Sequence, residues 1–218
     1  MTYIEYVKDY LKHQEQGAPI YTDEIAGAMA AHYGIDQKKA AAATAVAIKR
    51  IMDKGDSPDL RCYQKGIYYR TVFTPFGEMG INREKLIADK YLLNDNGYET
   101  GLRLLHHMGL TTQMPTEHLL ATNAARNCIR YDNKLGVSIC PPKTSINAEN
   151  KAYLQTLDAL DLLDRAPVDA QNPYAVLAEH IRVNGLRYET LLYYAYKYYN
   201  RKTIIRLAHT ASLKEVRI

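Results

Sequence analysis

An α+β fold in two parts is what this sequence predicts, and three observations carry that expectation. Two short amphipathic helices lead into a third, Asp36 to Lys54, which Gly55 stops. A hairpin follows, with Asp59 to Tyr63 and Ile67 to Arg70 as strands around a basic Gln64-Lys65-Gly66 tip. Beyond residue 81 the pattern becomes mostly helical, interrupted by three short strand-like runs. Three helices and a basic hairpin, in that order, are the parts of a winged helix-turn-helix. That module sets one helix in the major groove of duplex DNA and its wing on the phosphates. The expected organisation is a winged helix over residues 1–73, a linker over 74–80, and a mixed, mostly helical α+β domain with a small sheet over 81–218.

The first helix is expected from Thr2 to Glu15, because Ile4, Val7 and Leu11 share one face, and Gly17-Ala18-Pro19 ends it. Thr22 is the expected N-cap of the second helix, with Asp23 and Glu24 in the first turn where they suit the dipole. Ile25, Ala28 and Met29 supply its apolar stripe and Gly34 closes it. Asp36 caps the third helix, where Thr44, Ala47, Ile48 and Ile51 recur on an inward face. The opposite face carries Lys38, Lys39, Ala42, Ala45 and Lys49, small residues between basic ones. Small side chains let a backbone approach DNA closely, and Ala or Thr can touch a thymine methyl. High alanine content also simply favours a helix, and it is the hairpin that tips the reading toward DNA. There Gly66 fits a three-residue loop, Leu60, Cys62, Ile67 and Tyr69 alternate, and Arg61 and Lys65 are left for phosphate.

Pro75 and Gly77 mark the linker. The second domain should hold helices over 83–93, with Leu86, Ile87 and Leu93 inward, and over 98–108, ended by Gly109. Short strands are expected at 118–122, 128–131 and 135–140, then helices over 148–164, 173–183, 188–199 and 202–210.

Composition bounds the function. At 218 residues, 47% hydrophobic and 24% charged, the chain matches ordinary soluble proteins with a real core. Cys62, Cys128 and Cys140 are an odd, widely spaced set, read as reduced thiols of a cytoplasmic protein, with Cys128 and Cys140 in the core. No apolar run is long enough to span a membrane and no signal peptide is evident. The net charge of +4 is uneven: eight Lys/Arg face four Asp from Asp36 to Arg70, whereas two Lys face five acids from Met1 to Tyr33. Positive charge therefore gathers on the third helix and hairpin. The 19 tyrosines against 2 phenylalanines read as Tyr replacing Phe in a half-buried core.

The segment from Tyr98 to Pro115, Tyr-Glu-Thr-Gly-Leu-Arg-Leu-Leu-His-His-Met-Gly-Leu-Thr-Thr-Gln-Met-Pro, is distinctive. It resembles the helix–Gly-Leu-Thr–Gln–Pro segment of AbiEi-type antitoxins. In that family a similar segment follows a winged helix and precedes a strand ending in Ala-Thr, here Leu120-Ala121-Thr122. Lys65-Gly66-Ile67-Tyr68 resembles the family's wing, and the order of parts is similar over most of residues 1–145. The resemblance implies an autorepressor that binds repeats in its own promoter. It also implies the antitoxin of a type IV abortive-infection system, countering a nucleotidyltransferase-like toxin without a stable complex. In it, Leu105, Gly109, Leu110 and Pro115 would act structurally. The alanine-rich third helix departs from the family pattern, so operator identity does not carry over. Alternatives are a solitary regulator, or a protein-interaction module that docks through the tyrosine-rich helix, where Tyr193, Tyr194 and Tyr196 fall outside the expected buried stripe of Leu191, Leu192, Ala195 and Tyr198.

Catalysis finds little support. His106 and His107 point about 100° apart on a helix and have no ligand partner at i+3 or i+4. Glu149-Asn150-Lys151 resembles the Glu-x-Lys of metal-dependent nucleases, a remote third option, but it opens a helix that Asn147 can cap. No phosphate-cradling Gly-rich loop occurs. No catalytic residue, metal or cofactor is expected. The expected partner is double-stranded DNA, with Lys38, Lys39, Thr44 and Lys49 nearest the bases and Arg50, Arg61 and Lys65 on phosphates.

Overall fold

The computed structural model describes residues 1–215, with side chains through residue 213. The last three residues of the 81–218 domain lie outside the described residues. The fold is mixed α+β and divides into two compact units, Met1–Leu86 and the residues from Ile87 on.

The first unit begins with α1 (Tyr3–Lys12). Thr2 caps it reciprocally: its hydroxyl accepts from the Glu5 amide, and the Glu5 carboxylate accepts from the Thr2 amide. This satisfies two of the donors that a helix start leaves unpaired. Then come β1 (Ile20–Tyr21), α2 (Thr22–Tyr33), α3 (Gln37–Lys54), β2 (Leu60–Gln64) and β3 (Ile67–Arg70). The three strands form an antiparallel sheet in the order β1-β3-β2. Val7, Leu11, Ile25, Met29, Ile48 and Ile51 meet in one fully buried cluster closed by Ile20 and Leu60. Each such side chain removed from water contributes roughly 1.5–3 kcal/mol.

Three expectations change here. Thr22 is the first residue of α2, not its cap, and its hydroxyl donates to the Gly66 carbonyl at 3.4 Å. The hairpin carries a bulge between Cys62 and Gln64, with Gln64 paired to Ile67 so that the loop is Lys65-Gly66, and Cys62 is exposed. Residues 74–80 are not a linker: β4 (Phe73–Thr74) and β5 (Gly77–Glu78) form a second hairpin. Pro75 and Gly77 do break regular structure, but within a tight turn, where the Thr74 hydroxyl bonds both the Phe76 amide and the Gly77 carbonyl.

The second unit follows α4 (Arg83–Ile87), which continues as a wide turn over Ala88–Leu92 and a tight one over Leu93–Asp95. Leu93 is exposed, contrary to expectation. β6 (Gly97–Thr100) precedes α5 (Gly101–His107), so the first residues of the expected 98–108 helix are a strand. β7 (Leu119–Thr122), β8 (Arg130–Asp132) and β9 (Val137–Cys140) complete a mixed sheet in the order β6-β7-β9-β8, with β7 and β9 parallel. Helices α6 (Lys151–Leu162), α7 (Pro173–Val183), α8 (Tyr188–Tyr198) and α9 (Arg201–Glu215) follow. α6 joins the two layers. Leu154 packs with Tyr98, Ala121 and Ile146 beside the sheet, while Leu157 and Leu160 meet Leu105, Leu177, Ile181 and Leu191. Asp158 on α6 accepts hydroxyl bonds from Tyr98, Thr100 and Tyr199, at 3.0, 3.1 and 2.7 Å. Burial pushes its carboxyl above the usual range against those bonds.

The cysteines also differ from expectation. All three are free thiols, but Cys128 is exposed instead of in the core. Burial pushes the Cys140 thiol up to about 11. Among the described residues, no helix is long and apolar enough to cross a membrane.

Candidate nucleic-acid interface

Helix α3 presents two unlike faces. Asp36 fixes its start by accepting from the amides of Lys38 and Lys39, at 2.9 and 3.4 Å. Ala40, Thr44, Ala47, Ile48 and Ile51 turn inward and are buried. Lys38, Lys39, Ala41, Ala42, Ala45, Val46, Lys49 and Arg50 are exposed.

Thr44 is therefore misplaced as a base-reading residue. Its side chain is fully buried, and its hydroxyl reaches the Met29 sulfur at 3.9 Å. It shares the 3.6-residue stripe of Ala47, Ile48 and Ile51, so packing claims it. The residue that sequence reasoning missed is Val46, an apolar side chain 50% exposed on the solvent face. Its signal was present: Val46 is apolar and lies off the buried stripe.

The hairpin separates its two cations. Lys65 is exposed at the tip. Gly66 beside it has φ +87, a left-handed conformation that a side chain would strain. Arg61 is not free for phosphate as expected. Its Nε pairs with Glu78 of β5 at 2.7 Å, and its terminal nitrogen donates to the carbonyls of Pro58 and Leu60. It ties one hairpin to the other. Arg70 is similarly engaged, with Asp59 at 2.6 Å and the Lys12 carbonyl at 2.9 Å.

These pairs sharpen the local charge. Asp56 bonds Lys8 at 2.7 Å, and this contact holds its carboxyl below the usual range. With Asp56 and Asp59 engaged, and Arg61 and Arg70 with them, the 36–70 segment keeps six cations against two acids. Among the described residues, no ion pair engages Lys38, Lys39, Lys49, Arg50 or Lys65.

The second unit contains a denser ionic cluster. One Glu99 oxygen accepts from His118 Nε2 at 2.9 Å and pairs with Arg103 at 3.1 Å; the other meets His107 Nδ1 at 2.8 Å. The His118 bond is the main cause holding the Glu99 carboxyl below its usual range. Both carboxylate oxygens are thus committed to clasping β6, α5 and the segment before β7. His107 serves this clasp, whereas the Glu149-Asn150-Lys151 triplet does not converge: Lys151 reaches Asp95 at 3.2 Å and Asn150 donates to the Ser145 carbonyl. Among the described residues, no group of three or more His, Cys, Asp and Glu side chains is placed to hold a metal ion.

No protein-family model matches this chain, and no curated protein matches it in sequence.

Proposed function

We propose that Met1–Leu86 is a winged helix-turn-helix that binds duplex DNA, with α3 in the major groove and the Lys65 hairpin as its wing. The observation that carries this reading is the solvent face of α3, where small residues and Val46 lie between unpaired cations. The strand and helix order α1-β1-α2-α3-β2-β3, with sheet order β1-β3-β2, supports it. Lys38, Lys39 and Lys49 approach base edges, Ala42, Ala45 and Val46 offer apolar contact to thymine methyls, and Arg50 and Lys65 meet phosphates. Arg61 positions the wing through Glu78. The protein then acts in the cytoplasm as a repressor of its own promoter.

The antitoxin role of the residues from Ile87 on is proposed on the resemblance of the Tyr98–Pro115 segment to AbiEi-type antitoxins. On that reading the partner is a nucleotidyltransferase-like toxin, opposed without a stable complex, and the chain itself is not an enzyme. Co-expression with a toxin encoded beside it tests this part: rescue of growth supports it, and unchanged toxicity rejects it.

The DNA reading is tested by salt titration of duplex binding. Lys65→Ala should weaken binding on every sequence and lower the slope of log K against log salt by about one unit. Val46→Asp should instead erode preference among sequences. An unchanged slope in Lys65→Ala would reject the wing assignment.

A further inference from the structure

A helix face in the second unit combines features that the duplex-binding reading leaves unused. On α8, Leu192, Tyr193, Tyr196 and Lys197 occupy about 140° of the helix circumference. Leu191 and Ala195 on the other side are fully buried, which fixes how the helix is rotated. Tyr196 is 82% exposed and Tyr193 55%. Leu192, Tyr193 and Tyr196 are exposed side by side on one helix face, and contiguous exposed apolar surface marks interaction sites more often than scattered single side chains do.

Cations surround the rings. Lys197 Nζ lies 5.4 Å from the ring centres of both Tyr193 and Tyr198 and 3.1 Å from the Tyr193 hydroxyl. Lys143 stands 5.7 Å from the Tyr199 ring at the C-terminal end of the same helix. Arg201 and Lys202 are exposed in the first turn of α9. Between Arg182 and Arg206 the sequence holds a single acid, Glu189, and it lies 3.7 Å from Arg187. Arg182 and Arg206 are neutralised by Glu179 and Asp164. Lys143, Lys197, Arg201 and Lys202 pair with no carboxylate among the described residues.

We propose that this face binds single-stranded RNA. Exposed rings offer stacking platforms to unpaired bases, and unmatched cations follow a phosphate backbone. A duplex keeps its base faces stacked inside, so it cannot use Tyr193 and Tyr196 in this way. A second copy docking through the same face would bring four unmatched cations against four more, whereas the centre of a protein interface is depleted of charge. RNA is the cellular source of splayed, unstacked bases, in loops and ends.

The test is fluorescence anisotropy of the full chain with a labelled twelve-nucleotide uridine strand, and with the same strand annealed to its complement. The account expects the single strand to bind in preference to the duplex. Tyr193→Ala/Tyr196→Ala should weaken that binding at least tenfold. Tyr196→Phe, which keeps the ring, should retain it. Arg201→Ala/Lys202→Ala should lower the salt slope by about 1.4 units. All these positions are exposed, so the fold is not at stake, and operator-duplex affinity should stay unchanged in the tyrosine variant, which separates this proposal from the DNA reading. Equal binding by wild type and Tyr193→Ala/Tyr196→Ala would overturn it. So would a variant that converts a dimer to a monomer in sedimentation while leaving RNA affinity intact.

Discussion

At the scale of single residues, second-unit stability rests on a few carboxylates in unlike settings. Burial works to raise the Asp132 carboxyl, but hydrogen bonds from Lys90 and Tyr91, each at 2.8 Å, and from the Leu135 amide outweigh it and hold the group at about 2. Folding thus lowers this pKa from 3.8, so its stabilisation is complete above about pH 4 and is lost as pH falls through about 2. Asp132→Asn is expected to cost up to about 2 kcal/mol at pH 7. Urea unfolding should show the gap closing toward pH 2; a gap independent of pH would contradict the assignment. Asp158 has the opposite problem, a buried carboxyl dependent on three hydroxyl donors. Tyr199→Phe removes the shortest of them, at 2.7 Å, and should cost about 1–3 kcal/mol. The same unfolding measurement checks it, and an unchanged midpoint would show the bond to be dispensable.

At the scale of elements, close approach and capping decide which segments form. Gly97 opens β6 where a Cβ would overlap the backbone carbonyls of Tyr91 and Ala121. Gly97→Ala should therefore push β6 away from β7 and lower the thermal midpoint of the second unit by several degrees. An unshifted midpoint would mean that the strand yields. The helices of the first unit were legible in the sequence because their signals are local: Asp36 at the start of α3, Gly34 and Gly55 at helix ends, and the Ile48–Ile51 stripe. β1 was not, since two residues carry no periodicity, and its place depends on pairing with Tyr68 and Ile67 far along the chain. β6 was hidden because its residues from Tyr98 to Thr100 read as the first turn of one helix over 98–108, and its place depends on pairing with β7. The β4–β5 hairpin was mistaken for a linker because Pro75 and Gly77 mark turns and linkers alike.

That hairpin also carries the chain's two phenylalanines. Tyrosine does fill half-buried positions, but both phenylalanines, Phe73 and Phe76, are exposed on the hairpin.

At the scale of the whole molecule, the candidate site was partly legible. Lys38, Lys39, Lys49, Arg50 and Lys65 stand exposed as the basic clustering suggested. Thr44 and Arg61 failed for different reasons. Thr44 sits on the apolar stripe, which the sequence displayed. Arg61 is engaged by Glu78, a partner that only the second hairpin brings near. Leu192, expected in the core, is half exposed on α8, and that exposure opens the tyrosine face.

The most direct test of the central claim is fluorescence anisotropy of the full chain against duplex DNA from its own upstream region, with a scrambled duplex as control, at two salt concentrations. The account predicts tighter binding to the upstream duplex, and affinity for both that falls steeply with salt. Equal affinity for the two duplexes, or no binding at low salt, would contradict it.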